Sequence, residues 1–408
     1  MGFNAESFLQ YRLQPQSLTA GMKSRIFLAA AAIAVLAATS WRWLSRRRLR
    51  KLASMIPGPP TLPIIGNLSV IMGTNDQAFR NLWNFSKQYF LTCRLWFPSC
   101  LVVFVADGED LKTLLNSISC LSREFVRKPV SLANLHHDIY LAKPEDLVRQ
   151  RKVIYPAFKI GILKKYVPIM FRKSEELMEN IEQTNHEEFD IHKLIKICIT
   201  DSIFSPLMGV NANLFAKRQK SFQEALHYLG QFIVEGFRKP WLCLVLIFMS
   251  SRTFRNVSEK RRIMVDTIDS ITKEHEEKML FFYQIGNFKE ENATESLNGQ
   301  LLTKLMDHTY GNQTPTLNTD EMEMDISTIY YAAFDTTPVA IAFVLSLLGF
   351  HTQVQEHLQG MKYLKQVIQE TLRLYPPVPF APREVSNDVD IKGYTIPAGT
   401  VVTFNYMA

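Results

Sequence analysis

The chain has 408 residues, a formal net charge of +7, 47% hydrophobic residues and 21% charged residues. That balance is globular and excludes an intrinsically disordered chain, and the length allows a substantial core in one large domain or two smaller ones. Five cysteines (Cys93, Cys100, Cys120, Cys198, Cys243) form no C-x-x-C pair, and nine histidines form no H-E-x-x-H set. The sequence therefore predicts no protein-ligated zinc, and the scattered thiols fit a reducing compartment.

The charge is unevenly placed. Before Glu109 the only acids are Glu6, Asp76 and Asp107, whereas Arg42, Arg46, Arg47, Arg48, Arg50 and Lys51 crowd one segment. That cluster follows IFLAAAAIAVLAATSW, residues 26–41. Extended by Trp43 and Leu44, the run comes just short of the ~20 residues that span a bilayer. Its closing tryptophans suit a membrane interface, and only Arg12, Lys23 and Arg25 precede it. The positive-inside rule predicts one retained anchor over 26–44, with 1–25 luminal and the rest cytosolic. A mitochondrial presequence, Arg-rich and acid-poor, is the alternative. Nucleic-acid binding is disfavoured, because the basic residues flank an apolar run rather than interleave with aromatics.

A basic and proline-rich hinge over 45–67 follows, ending in MIPGPPTLPIIGN. Pro57, Pro59, Pro60 and Pro63 fix φ and favour extended chain over helix. Such a stretch can hold a cytosolic domain at a set attitude, or simply link two domains. The remainder, 68–408, reads as one domain. LTCRLWF (91–97) and LVVFV (101–105) around Pro98 and Ser99 predict a hairpin. Apolar spacing of three and four predicts helices over 107–118, 144–155, 162–183, 190–208, 215–236 and 257–283. WLCLVLIFM, 241–249, is uncharged and suits either a buried segment or one that dips into a membrane. DVDIKGYTIPAGTVVTF, 388–404, alternates around Gly393 and Gly399 and predicts short antiparallel strands. No internal repeat is evident. The expected class is mainly α with a small β-sheet.

The most informative stretch is AAFDTTP, 332–338, inside a long apolar helix expected to start at Asn318 or Thr319 and run towards Gly349. Asp320, Glu321 and Glu323 complement its positive end, and the residues from Val339 onward predict burial all round. Pro338 cannot donate to the carbonyl of Phe334, so a bend or widening is expected there. Thr336 and Thr337 can bond carbonyls one turn back, at Ala332 and Ala333. Asp335 in such a place needs a partner or water. The notch is either a satisfied structural kink or a hydrated groove able to hold a small ligand and pass it protons. Beyond it, MKYLKQVIQETLRLY (361–375) forms an amphipathic helix stopped by Pro376 and Pro377, with Glu370 and Arg373 placed to pair at i,i+3.

Taken in order, PGPPTLPIIGN, RQRKVIYPAF (149–158), AAFDTTP, ETLRLYPPVP (370–379) and GYTIPAGTVV resemble the motifs of the cytochrome P-450 family of haem-thiolate monooxygenases. The likeness is to its microsomal, fatty-acid-hydroxylase-like branch. It implies a fold built around a long central kinked helix, and a haem b cofactor. It also implies electrons from NADPH through a flavoprotein reductase, an apolar substrate (fatty acid, hydrocarbon or xenobiotic) and residence in the endoplasmic reticulum membrane. By this resemblance Asp335 and Thr336 are the proton-delivery pair for bound dioxygen. Arg151 and Arg383 pair with haem propionates, since guanidinium offers a rigid bidentate fork. Glu370 and Arg373 set the fold. The basic set Arg149, Arg151, Lys152, Lys159, Lys164 and Lys165 either faces the reductase or is a solvated helix face.

The sequence also departs from the pattern. Leu147 stands where the family carries a propionate-binding tryptophan, Ala333 replaces a glycine, and Ala332 stands where some members carry a haem-esterified glutamate. HTQVQEHLQGMKYL joins two helices that the family separates by a further helix and loop. None of the five cysteines sits in the iron-ligand context, so the domain is expected to be incomplete at the C-terminus, the thiolate that promotes O–O cleavage being absent. A catalytically inactive, membrane-tethered remnant is the alternative expectation.

Overall fold

The computed structural model describes residues 25, 29, 46–62, 65–89, 91–98, 100–131, 135, 137–184, 187–209, 212–238, 248–284, 300–310, 316–355 and 361–407. The expected luminal segment and anchor fall almost wholly outside the described residues, as does most of 241–249. The chain divides into two compact units, Met1–Ile56 and Pro57–Ala408. In the first, helix α1 (Arg47–Ala53) carries Arg50 and Lys51 in its last turn, where cations complement the negative helix end.

The second unit begins with α2 (Asn75–Gln88), closed by a capping box in which Thr74 and Gln77 satisfy each other's backbone donors. The expected hairpin follows: β1 (Thr92–Trp96) runs antiparallel to β2 (Leu101–Val105), with Thr92 opposite Val105. Next come α3 (Gly108–Asn116), α4 (Glu124–Ser131), α5 (Pro144–Ile154) and α6 (Ile160–Glu182). They are succeeded by α7 (Ile191–Ile199), α8 (Ala212–Arg238), α9 (Arg252–Gln284) and α10 (Gln300–Tyr310). The central helix α11 (Thr319–Phe350) and then α12 (Met361–Leu374) precede strands β3 (Phe380–Glu384), β4 (Val389–Ile391), β5 (Tyr394–Ile396) and β6 (Val401–Asn405). The protein is mainly α with small sheets, as expected.

Three local expectations change. The single helix expected over 190–208 is interrupted by a π turn at Thr200–Phe204. There Thr200 and Ser202 return their hydroxyls to the carbonyls of Lys196 and Cys198, a pattern that loosens a helix. The segment 388–404 is not all antiparallel. β4 and β5 form a two-stranded ribbon turning at Gly393, whose φ of 83° favours glycine. β6 instead enters the main sheet, ordered β1-β2-β6-β3, parallel to β2 and antiparallel to β3. All five of its residues are buried, and a buried central strand reads as a continuous apolar run rather than an alternating one.

The third change concerns α11. Asn318 caps it as expected, bonding the Glu321 N–H while the Glu321 carboxylate accepts from the Asn318 N–H. The burial is the reverse of the expectation. Glu321 to Ser327 are buried, whereas Phe343, Leu345 and Phe350 in the apolar half are exposed. An apolar stripe on every side states only that neighbours are tolerated. α7, α9, α10 and α12 pack against parts of this helix and leave the rest open. α11 is long and apolar enough to cross a membrane, although its first turns carry buried acids packed against the rest of this unit. It passes Pro338 as unbroken α-helix, without the expected widening. Its aromatic core is a chain of rings, Phe222 to Tyr330 and Tyr330 to Phe334, each pair 5.0 Å between centroids. A second core joins α2 to the sheet through Phe85, Leu95, Val102, Phe104 and Val401.

Candidate active site

The notch in α11 opens on a groove. Thr336 lines it together with Gln369, Leu372 and Arg373 of α12, then Pro376, Pro377 and Val378, and Tyr406 just beyond β6, around a volume of ≈ 510 Å³. The walls are mostly apolar side chains. Thr336 Oγ1 donates to the Ala332 carbonyl at 2.8 Å, the back-bond expected one turn away. Its lone pairs remain able to accept a hydrogen bond from a groove occupant. Asp335 is not among the groove's lining residues. Its carboxylate interacts instead with the Tyr331 hydroxyl one turn back and with the Lys196 ammonium of α7. Lys196 Nζ lies 4.4 Å from the Phe334 ring centroid. The two adjacent members of the expected pair thus have different surroundings, and only Thr336 lines the groove.

Arg383 lies within electrostatic reach of Arg151 and of a third cation, Arg123. The bridge between Ser122 and Glu384, with the Glu384 N–H donating to the Ser122 carbonyl at 2.7 Å, ties the start of α4 to β3 and draws Arg123 beside Arg383. Arg123 donates to the Tyr140 carbonyl at 2.8 Å and lies 4.5 Å from the Tyr140 ring centroid, while its buried Nε has no hydrogen-bond partner. Burial, with help from Arg383 and Arg151 and against Tyr140 and Asp138, pushes Arg123 down to about 10. Burial also lowers Arg383, which feels Arg151 as a like charge and Tyr140, Tyr406 and Cys120 as opposing influences. Tyr406 therefore connects the arginines to the groove wall. Three guanidinium groups within electrostatic reach of one another, one with an unpartnered buried donor, concentrate positive charge here. Arg123 carried no sequence signal, because no motif marks it and its neighbour Arg383 comes from the far end of the chain.

The remaining sites fall into place less centrally. Glu370 and Arg373 make the expected bidentate pair at 2.6 and 2.8 Å, on an exposed helix face with Arg373 at the groove. Arg149 is not a free member of the basic set. It pairs with Glu321 at 2.5 Å and with Asp146 at 3.0 Å, and it also bonds the Thr316 carbonyl. Arg151, Lys152, Lys159, Lys164 and Lys165 are exposed. Leu147, at the expected tryptophan position, is buried. Asp325 is fully buried; its Oδ1 accepts from the Ile139 N–H at 2.6 Å and its Oδ2 has no partner. Burial, abetted by Asp138 and Glu321, raises it to about 8. Among the described residues no cluster of acids, histidines and cysteines could hold a metal ion. No cysteine lines the groove; burial pushes the Cys93 thiol up to about 12 and raises Cys120 and Cys198.

A mainly helical unit whose central helix puts a hydroxyl in an apolar groove is the arrangement that the resemblance to haem monooxygenases leads one to expect. Comparison with known proteins makes this specific. The cytochrome P450 family profile matches residues 56–360 and 355–408. The chain belongs to the cytochrome P450 family. Its two matched stretches meet at 355–360, within the unusual HTQVQEHLQGMKYL junction. The chain is 27% identical over 396 residues to cytochrome P450 4d2 of Drosophila melanogaster, covering 89% of this chain and 77% of that protein. It is 23% identical over 411 residues to cytochrome P450 4c21 of Blattella germanica, covering 94% and 80% respectively. Membership implies haem-dependent monooxygenation with electrons from a redox partner.

Proposed function

We propose that this chain is a membrane-anchored haem monooxygenase of the endoplasmic reticulum that hydroxylates an apolar substrate: a fatty acid, a hydrocarbon or a xenobiotic. A mitochondrial location remains the alternative for the anchor. What supports the reading is that Tyr406, which lines the Thr336 groove, also lies within electrostatic reach of Arg383 in the arginine cluster. Arg123, Arg151 and Arg383 would hold the two propionates, which would relieve the arginines' mutual repulsion and engage the unpartnered Arg123 Nε. Bound there, haem supplies dioxygen activation. The chain's own part is to place and protect. Leu372, Pro376, Pro377 and Val378 present apolar surface to an aliphatic ligand and exclude water from it. Thr336 orders a water through its free lone pairs, and Asp335 links that water to solvent. Electrons come from NADPH through a flavoprotein reductase docked on the exposed basic residues Lys152, Lys159, Lys164 and Lys165.

The test is binding of haem against haem dimethyl ester, whose propionates are uncharged. The diacid should bind at least ten-fold tighter, about 1.4 kcal/mol, and Arg383→Leu with Arg123→Leu should abolish that preference. Equal affinity for the two porphyrins would remove the dianion seat. A second reading, in which this chain is a catalytically inactive tethered remnant, is favoured by one observation. None of the four described cysteines lines the groove. On this reading the reduced, haem-loaded chain shows no thiolate-type Soret shift with carbon monoxide, and the appearance of that shift would eliminate it.

A further inference from the structure

Between α4 and α5 the chain makes a tight turn over residues 138–142. Asp138 organises it: its Oδ1 accepts from the Leu141 N–H at 3.1 Å, and its carbonyl accepts from the Ala142 N–H at 2.8 Å. Backbone between helices has to find its other partners elsewhere, and here each of four consecutive residues is bound from outside the turn. Gln150 of α5 donates to the His137 carbonyl at 2.7 Å. Thr328 of α11 donates to Asp138 Oδ2 at 2.6 Å, and Asp325, three residues earlier on the same helix, accepts from the Ile139 N–H at 2.6 Å. Arg123, just before α4, donates to the Tyr140 carbonyl at 2.8 Å and lies 4.5 Å from the Tyr140 ring centroid. Asp138, Gln150 and Asp325 are buried, so water does not compete for these bonds. Three helices thus converge on one turn.

We propose that Asp325 and Thr328 are positioning residues for Arg123: through the turn at 137–140 they fix the guanidinium that takes a haem propionate. The inference rests on the reading of Arg123 as a propionate ligand and adds what holds it in place. Tyr140 grips Arg123 by Nη1 and by a ring face, while the buried Nε is left without a partner. A guanidinium meets a carboxylate as a rigid fork, so a small rotation of its plane loses one of the two hydrogen bonds. The stance of Arg123 therefore follows that of Tyr140. Tyr140 is exposed, so its place is set by the two bonds to α11 immediately before it and by buried Leu141 after it. The same helix carries Thr336, eight residues beyond Thr328 and about 12 Å along the axis. One rod thereby references both the propionate contact and the groove.

Hydrogen exchange reads the clasp without haem. In the full chain, Thr328→Val and Asp325→Ala should each speed amide exchange of the 137–142 peptide about ten-fold. Asp325→Asn, whose Oδ1 still accepts from Ile139, should leave it near native. Native exchange in both Thr328→Val and Asp325→Ala would overturn the clasp. Porphyrin binding reads the positioning. The preference for haem over its dimethyl ester should fall several-fold in Thr328→Val and Asp325→Ala, through weaker binding of the diacid with the diester unaffected, and Asp325→Asn should restore it. Equal weakening of both porphyrins would mean that the residues only hold the fold together, and would overturn the positioning role. In an Arg123→Leu background, Thr328→Val should change the preference no further. An undiminished preference in Thr328→Val and Asp325→Ala, alongside a reduced one in Arg123→Leu, would sink this inference alone. An undiminished preference in Arg123→Leu would sink the propionate reading beneath it.

Discussion

Thr336 places its hydroxyl hydrogen on the Ala332 carbonyl and its oxygen on the groove. Removing the hydroxyl costs α11 little, because one local side-chain bond is lost while alanine is the better helix former, a net change within about 0.5 kcal/mol. Thr336→Ala should therefore keep native Tm and lose coupling, releasing peroxide in place of product, whereas Thr336→Ser should retain most of it. A Tm loss parallel to the coupling loss would mean that the residue is structural. This position was legible in the sequence because polar residues and a proline stood out against an apolar run. The buried acids of the same helix were not, since an acidic first turn looks the same whether it faces solvent or protein. Burial raises Asp325 to about 8, with Asp138 and Glu321 adding and the Ile139 N–H and Arg149 opposing. Burial, with Asp269 and Asp320, raises Glu323 to about 7 against Arg261. In each case the folded chain keeps a proton that the unfolded chain releases near pH ~4. Stability should thus fall as pH rises from ~4 to ~8, by at most about 1.4 kcal/mol per unit for each group, and flatten above. Urea midpoints across that range should show a shallower slope in Asp325→Asn; an unchanged slope would mean that Asp325 is ionised in the fold.

At the scale of elements, α11 is tied down at its start more firmly than its pattern suggests. The capping box of Asn318 and Glu321 is continued by Arg149 of α5, so one carboxylate serves both the helix end and a neighbouring helix. Asn318→Ala should cost about 1 kcal/mol, the ordinary value of a cap. Glu321→Ala should cost more, about 2–3 kcal/mol once partial exposure of Arg149 is allowed for, because it removes the reciprocal cap and leaves Arg149 short of its main partner. Urea denaturation of the two variants checks the order, and equal losses would show that the Arg149 pair contributes nothing. The hairpin, the cap and most of the expected helix spans were legible from spacing, whereas α2, α4 and α10 were not singled out. The π turn after α7 and the parallel entry of β6 were not, for a common reason: local periodicity does not identify the partner. Thr200 can bond back in any helix, and it breaks this one beside Tyr330, whose hydroxyl it engages. VVTF is apolar enough for either edge of a hairpin, and it becomes central only because β2 and β3 are both free to pair with it.

For the whole molecule, what spacing cannot show is convergence. Arg383 lies far in sequence from Arg123 and Arg151, and the backbone bridge of Ser122 to Glu384 brings it beside the first. Two of them were legible by resemblance, and the third by geometry alone. The same reasoning applies to the surface. Six basic residues between 149 and 165 looked like one patch, yet Arg149 is withdrawn into an ion pair and Arg151 shares the arginine cluster, leaving Lys152, Lys159, Lys164 and Lys165 as freely solvated cations. A patch of exposed lysines speeds encounter with an acidic partner and adds little affinity once docked. Electron transfer from the flavoprotein reductase should accordingly slow as ionic strength passes ~0.1 M, where screening is about 10 Å. Lys164→Glu with Lys165→Glu should lower the association rate about ten-fold at low salt and flatten its salt dependence. Lys112→Glu, elsewhere on the chain, changes net charge without touching the patch and should have little effect. Stopped-flow reduction of the three proteins over a salt series decides the matter: if Lys112→Glu slows the rate as much as a patch substitution does, overall charge governs the encounter and the patch is not the dock.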